Sequence, residues 1–468
     1  MSGTQEKSHG RVGEFIANPR RAVWTLSLPV MMGMAVYTFY NLTDMFFVGM
    51  LGGDALAALT FNMPVVFLAI GTVFGLGTGA TSAIARSLGA GDRKAAEDAA
   101  RQTLVMGLLF AAAVIAAALL FKGGIITALG ATGEVAALAV RYFEVAAPGF
   151  AFVVVNTCFR SIMTGEGNTK TPVLFQAGGT LLNVALDPLL IFTAGLGIAG
   201  AAWATVISQF AVMLVFLFYI FVRRGSFLNL GSGPWGLTRT TAGLILKVGL
   251  PSSASMLLIS GGSIFYNRIV SVFGSEAVAG LGIGGRMDSI FFMPVFALAT
   301  SQVTLAGMFY GAGRIDLVRK TLVYTVLRAE VLAVVFGLGF YLFAPQLAGA
   351  FTDDDRIARV ATSYLRVFVL AFPFIAAGLI SSRVFQGLGS GVPAMVITAL
   401  RVVLIAVPVA YALTRYWGFG LTAVWWTFVA SAVASSLLSV IWISRRLRRE
   451  EAEPGGTGAH RLRMEDSY

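Results

Sequence analysis

The chain has 468 residues, of which 57% are hydrophobic and 12% are charged, and its mean hydropathy is +0.80. A soluble domain carries about 25% charged residues, so the composition excludes a soluble enzyme or binding module and indicates a polytopic membrane protein. The net charge of +11 could suit nucleic acid. Because basic residues concentrate in the cytoplasmic loops of membrane proteins, we expect a lipid bilayer and no nucleic acid as the partner.

Twelve apolar segments follow one another, each about 20 residues or longer and able to cross a bilayer. Polar tails are expected at residues 1–20 and 445–468, both loosely ordered, and a linker at 223–243 separates two lobes of six helices at 21–222 and 244–444. The spans are predicted at residues 22–50, 55–83, 102–121, 138–163, 171–195, 198–222, 244–273, 277–309, 321–345, 358–386, 392–414 and 418–444.

The connecting segments differ in charge in a regular way. Acidic residues dominate the loops after odd-numbered spans, as at Asp54, Glu134 and Glu276. The positive-inside rule therefore predicts a multi-pass protein of the cell membrane (the inner membrane of a cell with two) whose termini are both cytoplasmic. The basic residues of the other loops are Arg20, Arg21, Arg86, Arg93, Lys94, Arg101, Lys170, Arg223, Arg224, Arg314, Arg319, Lys320 and the run at 445–449.

The two halves of the chain repeat with a constant spacing in sequence. We call this spacing, the number of positions from Leu28 to Leu250, the repeat offset. Six spans in each copy give both copies the same orientation, which predicts a parallel repeat. Two bundles that face each other across a central cavity suit a transporter that works by alternating access. The matching segments are LPVMMG at Leu28 and LPSSAS at Leu250, LGGDALAAL at Leu51 and FGSEAVAGL at Phe273, and LGAGDRKA at Leu88 and YGAGRIDL at Tyr310.

The first span, LPVMMGMAVYTFYNLTDMFFVGML, carries one acid, Asp44, one turn after Tyr40. A charged residue at the centre of a membrane helix costs roughly 2.5–3.5 kcal/mol on insertion scales, and such residues usually mark an ion or substrate path. Pro29 cannot donate to the helical ladder and is expected to bend this helix. We therefore interpret Asp44 as half of a cation site.

The fifth span supplies the other half of this site. The segment LLNVALDPLLIF places Asn183 and Asp187 one turn apart on one helix face, and Pro188 frees backbone carbonyls that can help to hold a cation. Thr205 in span six and Asn156 in span four can complete the site. Two carboxylates that meet suit exchange of a proton, and oxygens of Asp44, Asn183, Asp187 and Thr205 also suit Na⁺.

Other readings of these residues remain open. The acids could bond to backbone at helix ends, and the amide and hydroxyl groups could join neighbouring helices. The repeat aligns Tyr266 with Asp44, so we expect the ion site in the N-terminal lobe. In the C-terminal lobe, Asp288 lies either at a bend or, with Tyr266 and Met293, beside a cavity. Arg383 is expected to reach a membrane interface with its charged end.

At this point the chain resembles the multidrug and toxic compound extrusion (MATE) transporters. The resemblance implies two six-helix bundles related by a pseudo-twofold along the membrane normal, and export of organic cations or amphiphilic drugs in exchange for inward H⁺ or Na⁺. It also implies a cation site at Asp44, Asn183, Asp187 and Thr205, with Tyr40 and Asn156 nearby and a bend at Pro29. The motifs are YNLTDMFFVGMLG in span one, GTGATSAIARSLGAGD after span two, GEGNTKTP before span five and NVALDP within it.

The seventh span departs from one branch of that family. Members of the NorM type have a carboxylate there, whereas residues 244–273 contain no Asp or Glu. The chain is therefore more similar to the DinF-type branch, which favours proton coupling and leaves a C-lobe ion site open.

Two competing functions fit the sequence less well. A flippase of the same superfamily for lipid or lipid-linked substrates would need several cations in its cavity, and only Arg286, Arg383 and Arg401 are candidates. A membrane enzyme needs a base or a metal cluster, but the spans contain no histidine and a single cysteine, Cys158. We expect no enzymatic activity and no cofactor, and a monomer suffices for two lobes around one cavity.

Overall fold

A computed structural model describes residues 6–128 and 130–452 of the protein. Within these residues helices are the only regular secondary structure, and twelve of them are long and apolar enough to cross a membrane. They form two lobes of six spans related by a pseudo-twofold axis. The predicted all-α class and the predicted number of spans are confirmed.

The N-terminal lobe begins with a short helix before the first span. Its fifth and sixth spans each end in a π-helical turn. The elements are α1 (Glu6–Ala17), α2 (Pro19–Gly49), α3 (Gly53–Gly89), α4 (Arg93–Ala128), α5 (Gly133–Gly165), α6 (Lys170–Pro188) with the turn Leu189–Thr193, and α7 (Ile198–Leu217) with the turn Phe218–Val222.

The C-terminal lobe repeats this order with two composite spans. The tenth span consists of two helices joined by a 3₁₀ turn, and the eleventh of two helices joined by a π turn. The elements are α8 (Arg239–Ser271), α9 (Ser275–Gly311), α10 (Ile315–Leu342), the short α11 (Ala344–Gly349), α12 (Asp355–Phe368), the turn Val369–Ala371, α13 (Phe372–Gly387), α14 (Val392–Ala399), the turn Leu400–Ala406, α15 (Val407–Arg415) and α16 (Leu421–Ala452).

Both ends of the chain contain more helix than the sequence predicts. The segment expected to be loose before the first span forms α1, because Phe15 is buried there and Ile16 packs against the same apolar cluster. At the other end α16 continues as far as Ala452. The outer parts of the two predicted tails, 1–5 and 453–468, lie outside the described residues.

The linker between the lobes is held by the N-terminal lobe. The carboxylate of Glu166 accepts hydrogen bonds from the hydroxyl of Ser226 and from the backbone N–H groups of Phe227 and Leu228, and Arg93 donates to the carbonyl of Phe227 at 2.8 Å. Burial raises the pKa of Glu166, an effect that these donors oppose. The linker is thus fixed to α4 and to the end of α5.

The lobes touch where α3 and α9 cross. A Cβ atom on Gly89 would lie against the backbone of Met308, and one on Gly311 would lie against the carbonyl of Arg86. Met308 follows Arg86 by the repeat offset, as Gly311 follows Gly89. The two glycine contacts at this crossing are therefore related by the internal repeat. The crossing lies at the end of the molecule that carries the basic loops, which we call the basic face.

Two hydrogen bonds between the lobes obey the same symmetry. Ser82 donates to the carbonyl of Gln386 at 2.5 Å, and Thr304 donates to the carbonyl of Thr164 at 3.1 Å. The two donors are related by the repeat offset, and so are the two acceptors. Together with the glycine crossing, these bonds close the basic face of the molecule.

The contact between α3 and α8 provides a test of this closure. A Cβ atom on Gly79 would strike the backbone carbonyl of Ile245. Overpacking costs about 1–3 kcal/mol, so Gly79→Leu should reduce the closed population about tenfold. We expect a cysteine introduced as Ser82→Cys, in a Cys158→Ala background that removes the only native cysteine, to react with a polar maleimide about tenfold faster.

The control for this experiment is Gly282→Leu, because a Cβ atom at Gly282 meets no other atom within 4 Å. This variant should leave the labelling rate unchanged. Equal rates in Gly79→Leu and in its parent would show that the α3–α8 contact does not hold the basic face closed.

Candidate ion-coupling site

The two acids of the predicted site both lie inside the N-terminal lobe. Asp44 lies on α2 and Asp187 on α6, and both are buried, Asp187 completely. Their carboxylates are close enough to interact electrostatically. The fold therefore assembles one acidic centre from two distant parts of the chain.

Three further polar residues surround the acids. The hydroxyl oxygens of Tyr40 and Thr205 are 3.2 Å apart, and Nδ2 of Asn183 donates to the Thr205 hydroxyl at 3.5 Å. Thr205 thus joins the first, fifth and sixth spans. We call Tyr40, Asp44, Asn183, Asp187 and Thr205 the N-lobe acid cluster.

The carboxylate of Asp187 has unused bonding capacity. Neither of its oxygens has a hydrogen-bond partner among the described residues, and the same holds for Oδ1 of Asn183. An ionised carboxylate taken out of water without donors costs several kcal/mol. This group is therefore a candidate to bind a cation: either a proton, or Na⁺ at the three free oxygens, which are hard ligands.

Local backbone structure accounts for the position of Asp187. Pro188 follows it directly and cannot donate to the helical ladder, and the chain continues as the π turn Leu189–Thr193 instead of a regular helix. Such turns are frequent at functional sites. Pro29 lies within the continuous helix α2, and its role as a bending point stays a prediction.

Sequence reasoning missed Tyr142 of α5. Its hydroxyl interacts electrostatically with both Asp44 and Asp187. The repeat could have found it, because Tyr364 occupies the corresponding position in the second half of the chain. The hydroxyl of Tyr364 donates to Asp288 at 2.5 Å, so a tyrosine faces an acid in each lobe.

Asn156 bonds to α7 and to no acid among the described residues. Its Nδ2 atom donates to the backbone carbonyl and the side-chain oxygen of Gln209, at 2.9 and 3.0 Å. These bonds join α5 to α7. The structure does not connect Asn156 to the acids, although the sequence predicts a place for it in their network or beside the cargo.

The three C-lobe residues predicted to border a cavity differ in their surroundings. Asp288 is buried beside Tyr364, and the hydroxyl of Tyr266 bonds to the carbonyl of Val424 and to Thr427. Met293 is partly buried. None of the three predicted residues is among those that line the C-lobe cavity described next.

A cavity of about 80 Å³ lies between α8, α13 and the eleventh span, and both Arg383 and Arg401 line it. The guanidinium of Arg383 lies over the rings of Phe74 and Phe296, 5.0 and 5.1 Å from their centroids, and it donates to Gln386 at 2.9 Å. The expectation that Arg383 reaches a membrane interface is wrong, because these contacts hold its charge inside the protein.

Comparisons with known proteins agree with this architecture. The family model described as MatE matches residues 29–189 and 251–412. A protein from Thermotoga maritima named "probable multidrug resistance protein NorM" is 26% identical over 447 residues, which cover 92% of this chain and 93% of the relative.

Two solved structures share the fold over nearly their whole length. A MOP superfamily transporter from Pyrococcus furiosus, for which reverse polarity of the binding pocket suggests a different function, matches with a TM-score of 0.88 and 31% identity, covering 92% of this chain and 97% of that one. An outward-facing multidrug resistance MATE family transporter of the same superfamily also has a TM-score of 0.88 and 31% identity, covering 92% and 96%.

The unpartnered carboxylate of Asp187 leads to a stability prediction. Asp187→Asn removes a buried group that needs a cation, so the apparent unfolding temperature at pH 8 without Na⁺ should rise by roughly 2–5 °C. Scanning fluorimetry on purified protein measures this shift. Asp54→Asn, at an exposed position, should cause no shift, and a lower unfolding temperature in Asp187→Asn would show that the native carboxylate is bonded after all.

Proposed function

This chain belongs to the MatE family of multidrug efflux transporters, and on that premise we propose that it exports organic cations or amphiphilic drugs in exchange for inward-moving H⁺. The export proceeds by alternating access of the two lobes around the central cavity. The observation that carries the proposal is the buried Asp187 carboxylate, which has no hydrogen-bond donor among the described residues and interacts electrostatically with Asp44.

The arrangement of the acids supports exchange of one cation for another. Two neighbouring carboxylates repel each other in a medium of low dielectric constant, and this repulsion disappears when one of them takes up a proton. A cationic cargo relieves the same repulsion, so cargo and proton compete for the same negative charge. The hydroxyls of Tyr40 and Thr205, linked to each other and to Asn183, can donate or accept while the charge changes.

The coupling ion is proposed to be H⁺, with Na⁺ as the alternative. The oxygens of Asp187, Asn183 and Thr205 fit either ion. The seventh span has no carboxylate between residues 244 and 273, which supports the DinF-type branch and proton coupling. Na⁺ would require at least the three free oxygens of Asp187 and Asn183 as ligands.

The placement in the membrane is part of the same proposal. We assign the basic face to the cytoplasm, since cytoplasmic loops are enriched in Lys and Arg. Both termini then lie inside the cell. A monomer contains both lobes, the cavity and the acid cluster, and it therefore suffices for the cycle.

A flippase for lipid or lipid-linked substrates is the second candidate. The cavity with Arg383 and Arg401 favours it, because arginines in a membrane cavity suit an anionic headgroup. For the relative from Pyrococcus furiosus, reverse polarity of the binding pocket likewise suggests a different function. The acid cluster in the opposite lobe favours the antiporter.

The proposal is tested with purified protein in liposomes. Under an imposed pH gradient, export of the fluorescent cation ethidium should proceed in wild type and in the exposed control Asp54→Asn. It should fall at least about tenfold in Asp44→Asn and Asp187→Asn, because each removes a charge that cargo and proton share. A Na⁺ gradient without a pH gradient should produce no export.

Three outcomes would contradict parts of this proposal. Export driven by a Na⁺ gradient alone would show that Na⁺, and not H⁺, is the coupling ion at the same residues. Full activity in both acid variants would remove the N-lobe acid cluster from the mechanism. Loss of activity in Asp288→Asn alone would move the coupling site to the C-terminal lobe.

A further inference from the structure

The C-lobe cavity combines positive charge, hydroxyl groups and apolar surface. Arg383 and Arg401 line it together with hydroxyl-bearing side chains, and none of its described lining residues is an acid. Phe74 reaches it from α3 of the other lobe. The cavity therefore lies at the junction between the lobes. Its charge is positive, opposite in sign to that of the acid cluster.

Arg383 is held in place and keeps one donor unused. The residue is 6% exposed, and one terminal nitrogen of its guanidinium donates to Gln386 at 2.9 Å. Gln386 in turn donates to the hydroxyl of Ser252 at 3.0 Å. The Nε atom of Arg383 is buried without a partner among the described residues. A fixed donor of this kind suits an acceptor that the protein itself does not supply.

Arg401 adds a second uncompensated charge. It lies in the π turn Leu400–Ala406 of the eleventh span. Within 6–128 and 130–452, the residues that the structure describes, it forms neither a hydrogen bond nor an ion pair. Two such cations in one cavity repel each other, and removal from water makes each more costly. Binding of an anion offsets both costs.

The cavity has room for a small anionic group beside the arginines. Its volume of about 80 Å³ is well above the roughly 10–15 Å³ that one water molecule needs, which suits a carboxylate or a phosphate group. The hydroxyls of Ser255, Ser382 and Thr398 offer further donors, while Met256 and Ile259 supply an apolar wall. Such a lining fits a ligand that is anionic at one end and apolar beyond it.

We propose that the cavity between α8, α13 and the eleventh span binds the carboxylate or phosphate group of an anionic amphiphile, through Arg383 and Arg401. This subsite narrows the amphiphilic cargo of the proposed exporter to molecules that carry an anionic group, and it rests on that function only for its role in transport. Binding itself needs no ion gradient. A failure of ion coupling and a failure of the anion subsite can therefore be told apart.

The test measures equilibrium binding to the full-length protein in nanodiscs of neutral phosphatidylcholine. The probes are dansylundecanoic acid and its uncharged methyl ester. Wild type should bind the acid at least about tenfold more tightly than the ester, since a hydrogen bond between charged groups is worth about that factor or more. Arg401→Gln should abolish this preference, Arg401→Lys should keep part of it, and Arg383→Gln should reduce it.

Arg286→Gln serves as the matched control. Arg286 is exposed on α9 of the same lobe and does not line the cavity, so its replacement should leave both affinities unchanged. Arg401 has no bond to lose in the described structure, and retention of the ester affinity in Arg401→Gln verifies that this variant is folded. Equal affinity of wild type for acid and ester, or an unchanged preference in Arg401→Gln, would overturn the proposal.

Competition distinguishes the two sources of the anionic group. Displacement of the dansyl acid by inorganic phosphate at millimolar concentration would support a site for a free small anion. Displacement by lysophosphatidic acid, with no effect of phosphate, would support a lipid-like ligand whose apolar chain contributes. If neither competitor displaces the acid from wild type, the arginine cavity is not its binding site.

Discussion

The close approach of two backbones at the basic face is the constraint on which the rest of the structure depends. Helices α3 and α9 can cross there because Gly89 and Gly311 carry no side chain, so each faces the backbone of the other lobe. Small residues at helix crossings replace the hydrophobic effect as the basis of packing within a membrane. The crossing sets the distance between the lobes, and thereby the space that remains between them.

The repeat preserves this scaffold while the chemistry of the two lobes has diverged. Thr205 and Thr427 occupy equivalent positions in the two halves, and each contacts a tyrosine hydroxyl. Asp44, however, is matched by Tyr266. The N-terminal lobe therefore holds the two acids of the acid cluster, and the C-terminal lobe holds the two arginines of the cavity. For the proposed cargo between the lobes, this arrangement would favour molecules with separated charges or with a charged end.

Features encoded locally could be predicted from the sequence. An acid within an apolar helix is costly wherever it lies, so Asp44 and Asp187 stood out. Because Asn183 and Asp187 are one turn apart, the sequence alone places them on the same helix face. The twelve spans follow from length and hydropathy alone.

Features created by tertiary contacts could not be predicted in the same way. From its sequence context Arg383 is expected to extend toward water. Only the fold shows that its guanidinium lies over the rings of Phe74 and Phe296. Nothing local distinguishes Tyr142 from an ordinary interfacial tyrosine, and only its neighbours connect it to the acids. The first helix, α1, forms because Phe15 finds an apolar surface supplied by residues far along the chain.

The hydrogen bonds from Ser82 and Thr304 across the lobes have a thermodynamic consequence. A serine or threonine within a helix can turn its hydroxyl back to the carbonyl four residues earlier, as Thr78 does toward Phe74 at 2.9 Å. When the lobes part, both donors can be satisfied again within their own helices. These two hydrogen bonds then contribute little to the enthalpy difference between the open and closed forms of the basic face, so less remains for a bound ion to offset when it shifts the population between them.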